Sequence, residues 1–217
     1  MFEKTRPAAA CDRGRGEKSL VTPGHLPRSS QGVAENDPDL VALLRARDPR
    51  GFELSYARHR DAVYAFLLRL SGRQTVAEDL FQETWLRLAR SGATLRPDSD
   101  LRAWLFTVAR NAFRSFLRQQ HPESAEAELG EIAALDSAEQ GLELSELERA
   151  LLALPLDERE LLLLVGVEGF AQHELGRMLG IAAPALRQRV TRARARLGEL
   201  LEHGPASAPR QRRMHER

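Results

Sequence analysis

Apolar residues recur at helical spacing through two long stretches of the chain, and the recurrence lapses before, between and after them. Ala77, Leu80, Phe81, Thr84, Trp85 and Leu88 stand at i, i+3, i+4, i+7, i+8 and i+11, one stripe of a helix. Thr75 reads as its N-cap, with Glu78 three residues on as the capping-box partner. Leu101, Trp104, Leu105, Val108, Ala112, Phe113 and Phe116 share a face of a second helix, capped by Asp100 and running to about Gln119, with Pro122 just beyond it. Upstream, Asp39–Ala46 and Pro49–Leu70 read as helices, the latter with Phe52, Tyr56, Val63, Phe66, Leu67 and Leu70 as its apolar positions. The second stretch predicts a helix from Leu144 to Ala153, a break at Leu154-Pro155, a helix from Asp157 to Val167, and two shorter helices around Gly180. Turn residues do not recur at strand-like intervals. The expected fold is all-α: two small helical domains joined by an acidic linker, the second a helix-turn-helix.

Composition sets the boundaries. Residues 1–36, rich in Pro, Gly, Ser, Arg and Lys, read as a disordered extension. Residues 37–120 and 144–203 read as the two domains, 121–143 as the linker and 204–217 as a basic tail. The net charge is only +1, from 32 basic and 31 acidic residues, so the total says nothing about nucleic acid. The distribution says more. From Gln119 to Glu148 there are nine acids and no Lys or Arg, whereas Ala185–Arg196 holds five Arg and no acid. Charge segregated in this way implies surfaces with different partners. Cys11 is the sole cysteine, which excludes an internal disulfide and suits a reducing cytoplasm. No apolar run approaches the roughly 20 residues that span a membrane, so no membrane insertion is expected.

The segment GFAQHELGRMLGIAAPALRQRVTRARARL carries the helix-turn-helix pattern. Leu175, Met178 and Leu179 form an inner face, Gly180 supplies a left-handed turn, and Ile181 plugs it. Gly176 leaves room for a close helix approach. Pro184 sits in the first turn of the next helix, where a missing N–H is tolerated, and Leu186, Val190, Ala193 and Leu197 face inward. The outward face offers Arg187, Gln188 and Arg189 near the helix start for base edges, and Arg192, Arg194 and Arg196 for phosphates. A solvated Arg-rich helix end is the plainer alternative.

Two further faces carry candidate chemistry. Asp79, Gln82, Glu83 and Leu86 recur beside the buried stripe of their helix, a mixed acidic, amide and apolar patch suited to protein docking or, more simply, to solvent. Arg102, Arg110, Arg114 and Arg118 lie opposite the apolar stripe of the Asp100–Gln119 helix, with Asn111 alongside. A basic stripe of this kind tracks phosphates, and nearby aromatics stack on unpaired bases. Trp104, Phe113 and Phe116 fall at core spacing and read as core. Nothing points to an enzyme. The histidines are scattered, His173-Glu174 lacks a second His at metal-ligand spacing, and there is no phosphate-cradling glycine loop or nucleophile elbow. Neither a metal nor a cofactor is expected.

Three stretches in this order resemble the extracytoplasmic-function group of sigma factors, the promoter-specificity subunits of bacterial RNA polymerase. AEDLFQETWLRL (Ala77–Leu88) is similar to the group's polymerase-binding helix, DLRAWLFTVARNAFRSFLR (Asp100–Arg118) to its minus-10 segment, and Leu154–Leu197 to its minus-35-reading domain. The resemblance implies that Asp79, Gln82 and Glu83 contact the largest polymerase subunit. It implies that Trp104, Arg110 and Asn111 belong to the minus-10 reader, and that Arg187, Gln188, Arg189 and Arg192 belong to the recognition helix. It also implies an anti-sigma partner, and a linker whose acids imitate the nucleic acid that displaces it. The chain departs from the pattern at Ser115, where the group has Asp, at Ala171 and Ala182, where small hydroxyl residues are common, and at Pro184. The rival function is a stand-alone helix-turn-helix regulator, which accounts for residues 170–197 but not for AEDLFQE or WLFTVARN.

Overall fold

The structure, a computed structural model, describes residues 38–120 and 145–204, and the described residues are helical with short connections. The readings made above for the N-terminal extension with Cys11, the acidic linker and the basic tail lie outside these residues. The first half holds α1 (Pro38–Arg45), α2 (Pro49–Ser71), α3 (Gln74–Ser91) and α4 (Leu101–Gln120), with a single 3-10 turn at Gly92–Thr94. The second holds α5 (Glu146–Leu152), α6 (Leu156–Leu162), α7 (Gln172–Leu179) and α8 (Ala183–His203). A π-helical turn, Leu163–Val167, continues α6.

Side-chain caps start three of the eight described helices. Asp48 caps α2 by accepting from the Arg50 amide at 3.0 Å, ahead of Pro49. Asp100 caps α4 by accepting from the Ala103 amide at 2.9 Å. Ser145 and Glu148 form a full capping box at α5. At α3 the expectation fails: the cap residue stands two positions before the predicted one. Arg73 is the extended cap residue, and it makes no side-chain cap bond. Gln74 then bonds Glu78 at 2.8 Å, which occupies the carboxylate that Thr75 was expected to share. The helix after Gly180 also differs from expectation. It runs 21 residues rather than forming a short element.

The apolar stripes meet in one continuous core. Val63, Phe66, Leu67 and Leu70 of α2 pack with Val76, Ala77, Leu80, Trp85 and Leu88 of α3 and with Leu101, Leu105 and Phe113 of α4. Leu175, Leu186, Val190, Ala193 and Leu200 line the second half. The core does not stop between the halves. Phe170, just after the π-helical turn, lies edge-on to Phe106 of α4 at 5.3 Å, and Phe106 lies edge-on to Phe66 at 5.2 Å. This is why α4 is buried more widely than its stripe predicts. Phe106, Ala109 and Leu117 join the core from its other side, while Trp104, Val108 and Phe116 are only half-buried.

Candidate nucleic-acid interface

The tight turn between α7 and α8 is built as its residues predict. Gly180 adopts φ 67°, and the Ile181 amide donates to Gly176 O at 3.0 Å. A Cβ on Gly176 would lie 2.9 Å from the Ile181 carbonyl oxygen, so only glycine admits this crossing. Both helices start on an alanine. Ala171 and Ala182 offer no side-chain acceptor, although Glu174 reaches back to the Ala171 amide at 2.8 Å and supplies half of a capping box. Pro184 sits in the first turn of α8.

Along α8, Leu186, Val190, Ala193 and Leu200 are buried, which turns Arg187, Gln188, Arg189, Arg192 and Arg194 out to solvent. Four exposed guanidinium groups surround the buried stripe of α8, Arg187 and Arg194 on one flank and Arg189 and Arg192 on the other, a positive surface suited to phosphates and to guanine edges. Arg196 does not join them. It is half-buried and donates to Glu158 of α6 at 2.9 Å.

On α3, Asp79 and Gln82 are exposed and Leu86 is 49% exposed. Glu83 is half-buried and pairs with Arg87 at 2.8 Å. These four side chains share one face, opposite Ala77, Leu80, Thr84, Trp85 and Leu88. Beside them Phe81 sits half-buried in a cluster of rings, 5.7 Å from Tyr64 and 6.0 Å from Trp85.

The basic stripe of α4 divides in two. Asn111 and Arg118 are exposed, whereas Arg102, Arg110 and Arg114 are turned into the seam between the halves. Arg110 Nε donates to Glu160 at 2.7 Å. Arg114 donates to both oxygens of Glu160, at 2.9 and 2.8 Å, and to Asp157. Burial opposes the Arg114 charge, but the Glu160 and Asp157 carboxylates outweigh it and hold its pKa above the usual arginine value. Arg102 stacks 4.0 Å from the centre of the Phe170 ring and donates to the Glu168 carbonyl. Phe113 is core, stacked 6.4 Å from Phe116, as its spacing predicts.

Four residues of the seam were not singled out from the sequence: Arg159, Glu160, Glu168 and Phe170. Arg159 is fully buried and donates to backbone carbonyls, those of Leu70 at 2.8 Å, Leu151 at 3.1 Å and Leu154 at 3.2 Å. Burial pushes it down to about 10, with Glu160 acting the other way, so it remains charged near neutrality. Burial pushes the Glu168 carboxyl up to about 7 against the pull of Arg102 and Arg69. A signal for the first pair was present. Arg159 and Glu160 stand between Leu156 and Leu163 at inward helical spacing, and charges at inward positions mark a polar contact within a core.

Comparison with known proteins places both halves. The Sigma-70 region 2 family matches residues 55–123, and the Sigma-70 region 4 family matches residues 144–197. The chain is 41% identical over 141 residues to the ECF RNA polymerase sigma factor EcfG of Rhodopseudomonas palustris, an alignment covering 63% of this chain and 77% of that protein. It is 38% identical over 154 residues to the RNA polymerase sigma factor CarQ of Myxococcus xanthus, covering 69% and 88%. Among solved structures it resembles the sigma factor RpoE of Bartonella quintana, crystallised with the anti-sigma factor NepR. The TM-score there is 0.57 at 32% identity, covering 70% of this chain and 97% of that one.

Proposed function

The chain belongs to the extracytoplasmic-function RNA polymerase sigma factors, and from that premise we propose how its residues divide the work of promoter-specific transcription initiation. Residues 37–120 form the polymerase- and minus-10-binding domain and residues 144–203 the minus-35-binding domain. Asp79, Gln82, Glu83 and Leu86 dock on core RNA polymerase. Arg102, Trp104, Arg110, Asn111, Arg114 and Arg118 hold and read the melted minus-10 strand, whose unpaired bases are accessible to side chains. Arg187, Gln188 and Arg189 read minus-35 base edges while Arg192 and Arg194 hold phosphates. The protein contributes binding energy and no chemistry; the polymerase makes the RNA. It works in the cytoplasm with core polymerase, promoter DNA and an anti-sigma factor, the class of partner with which RpoE was crystallised.

The observation that carries this division is the solvent-facing set of Arg187, Gln188, Arg189, Arg192 and Arg194 around α8, in the same chain as the unpartnered Asp79–Gln82–Leu86 face of α3. A stand-alone regulator accounts for the first and leaves the second unused. The test is gel filtration of the protein mixed with bacterial core polymerase, beside an Asp79→Ala/Gln82→Ala/Glu83→Ala variant. Wild type should co-elute and the variant should not, with the helical content of both equal. Equal co-elution would remove α3 as the docking face. No co-elution of wild type, with a polymerase sample that binds another sigma factor, would overturn the polymerase role.

A further inference from the structure

One carboxylate in the seam holds two guanidinium groups of the minus-10 stripe. Glu160, its side chain 2% exposed, accepts from Arg110 and twice from Arg114, all between 2.7 and 2.9 Å. An anion gripped by charge-assisted bonds from neighbouring arginines is the arrangement those arginines would make around a backbone phosphate. We propose that Glu160 takes the place of a promoter phosphate in the free chain, so that the α5–α8 half masks the minus-10 reader until the halves separate. The inference rests on the assignment of the α4 stripe to DNA.

Other contacts described across the seam serve the same closure. Arg159 of α6 donates to the Leu70 carbonyl at the C-terminal end of α2. Arg102 of α4 stacks on Phe170 and donates to the Glu168 carbonyl. Phe170 is 3% exposed against Phe106. Of the stripe, Asn111 and Arg118 alone remain on the surface. A buried ion pair recovers little more than the desolvation it demands, so the clasp is selective without being strong. A DNA strand offers many phosphates and a counterion release that one carboxylate lacks. Exchange is therefore favourable once another surface, here core polymerase on α3, draws the halves apart.

The test uses the full chain with Cys11→Ser and fluorophores on Glu53→Cys of α2 and Glu202→Cys of α8, both exposed sites. Energy transfer reports separation of the halves. Binding of a mixed-sequence single-stranded oligonucleotide reports the stripe. Wild type should give one high-transfer population that falls on adding core polymerase. Glu160→Gln should populate the low-transfer state without polymerase. Freeing two arginines should tighten oligonucleotide binding about tenfold at low salt and steepen its log–log salt dependence by about 1.4. Arg110→Ala/Arg114→Ala in the Glu160→Gln background should abolish that gain. Unchanged transfer both in Glu160→Gln and on polymerase binding would overturn the clasp. Separation with no gain in binding would overturn the assignment of the stripe to DNA, and with it the masking. Glu158→Gln, which breaks a pair inside the α5–α8 half, should leave the transfer high.

Discussion

Two titratable side chains beside the seam pull stability in opposite directions with pH. Glu168 has its carboxyl raised to about 7 by burial, so its native form is protonated at pH values where the unfolded chain has already lost that proton. Its contribution is complete below about pH 4.5 and is lost as pH rises through about 7. His59 is held down to about 4, first by burial and then by Arg58 and Arg102, so it opposes folding as pH falls below about 6.5. A comparison of Glu168→Gln with wild type cancels the histidine. The stability difference between the two should shift by about 2 kcal/mol in favour of the variant between pH 5 and pH 8, measured by urea unfolding. A pH-independent difference would mean that Glu168 is solvated. At this scale the sequence showed the solvent-facing α8 residues clearly, because their apolar neighbours fix which way they point. It did not show that Arg102, Arg110 and Arg114 turn inward, since their partners, two carboxylates and the Glu168 carbonyl, lie 43 to 66 positions away and no local period reveals them.

Among the elements, α7 and α8 were the most legible and also carry the clearest defects. The Gly180 turn follows from a left-handed φ that favours glycine and the Gly176 crossing from an approach too close for a side chain, and Gly176→Ala should destabilise the protein by about 1–3 kcal/mol. Ala182→Ser should do the opposite, adding about 1 kcal/mol by accepting an orphan amide at the start of α8. Thermal melting of the two variants checks both, and a neutral serine would mean that another acceptor already serves that helix end. The start of α3 was misread because Gln74 and Glu78 bond each other and Arg73 enters in an extended conformation, so the Thr-x-x-Glu pattern was present but unused. The helix after Gly180 was expected to be short, yet it passes straight through Gly198, where a Cβ would meet nothing, and reaches His203.

For the whole molecule, the all-α class and the two helical halves were legible from periodicity, while their mutual packing was not. Two amphipathic bundles are each complete alone, and the three-dimensional placement of Glu160, Phe170 and Arg159 joins them. The DNA contacts are separable at this scale in the assembled holoenzyme. Arg187→Ala should relax preference at one minus-35 base pair by about 1–3 kcal/mol. Arg192→Ala/Arg194→Ala should weaken all promoters alike and reduce the salt slope by about 1.8, read by fluorescence anisotropy on matched and mismatched duplexes. Equal loss on every sequence from Arg187→Ala would move that residue to the phosphate group.

The Glu160 contact joins parts of one chain, so dilution does not release it. A conformation shut in about 99% of copies lowers every affinity of the open form about a hundredfold. A chromosome presents on the order of a million or more non-specific sites, enough to sequester a bare DNA-binding protein. A chain that hides its own cations behind an acid stays off that reservoir and remains in the diffusing pool, where the enzyme it serves can find it.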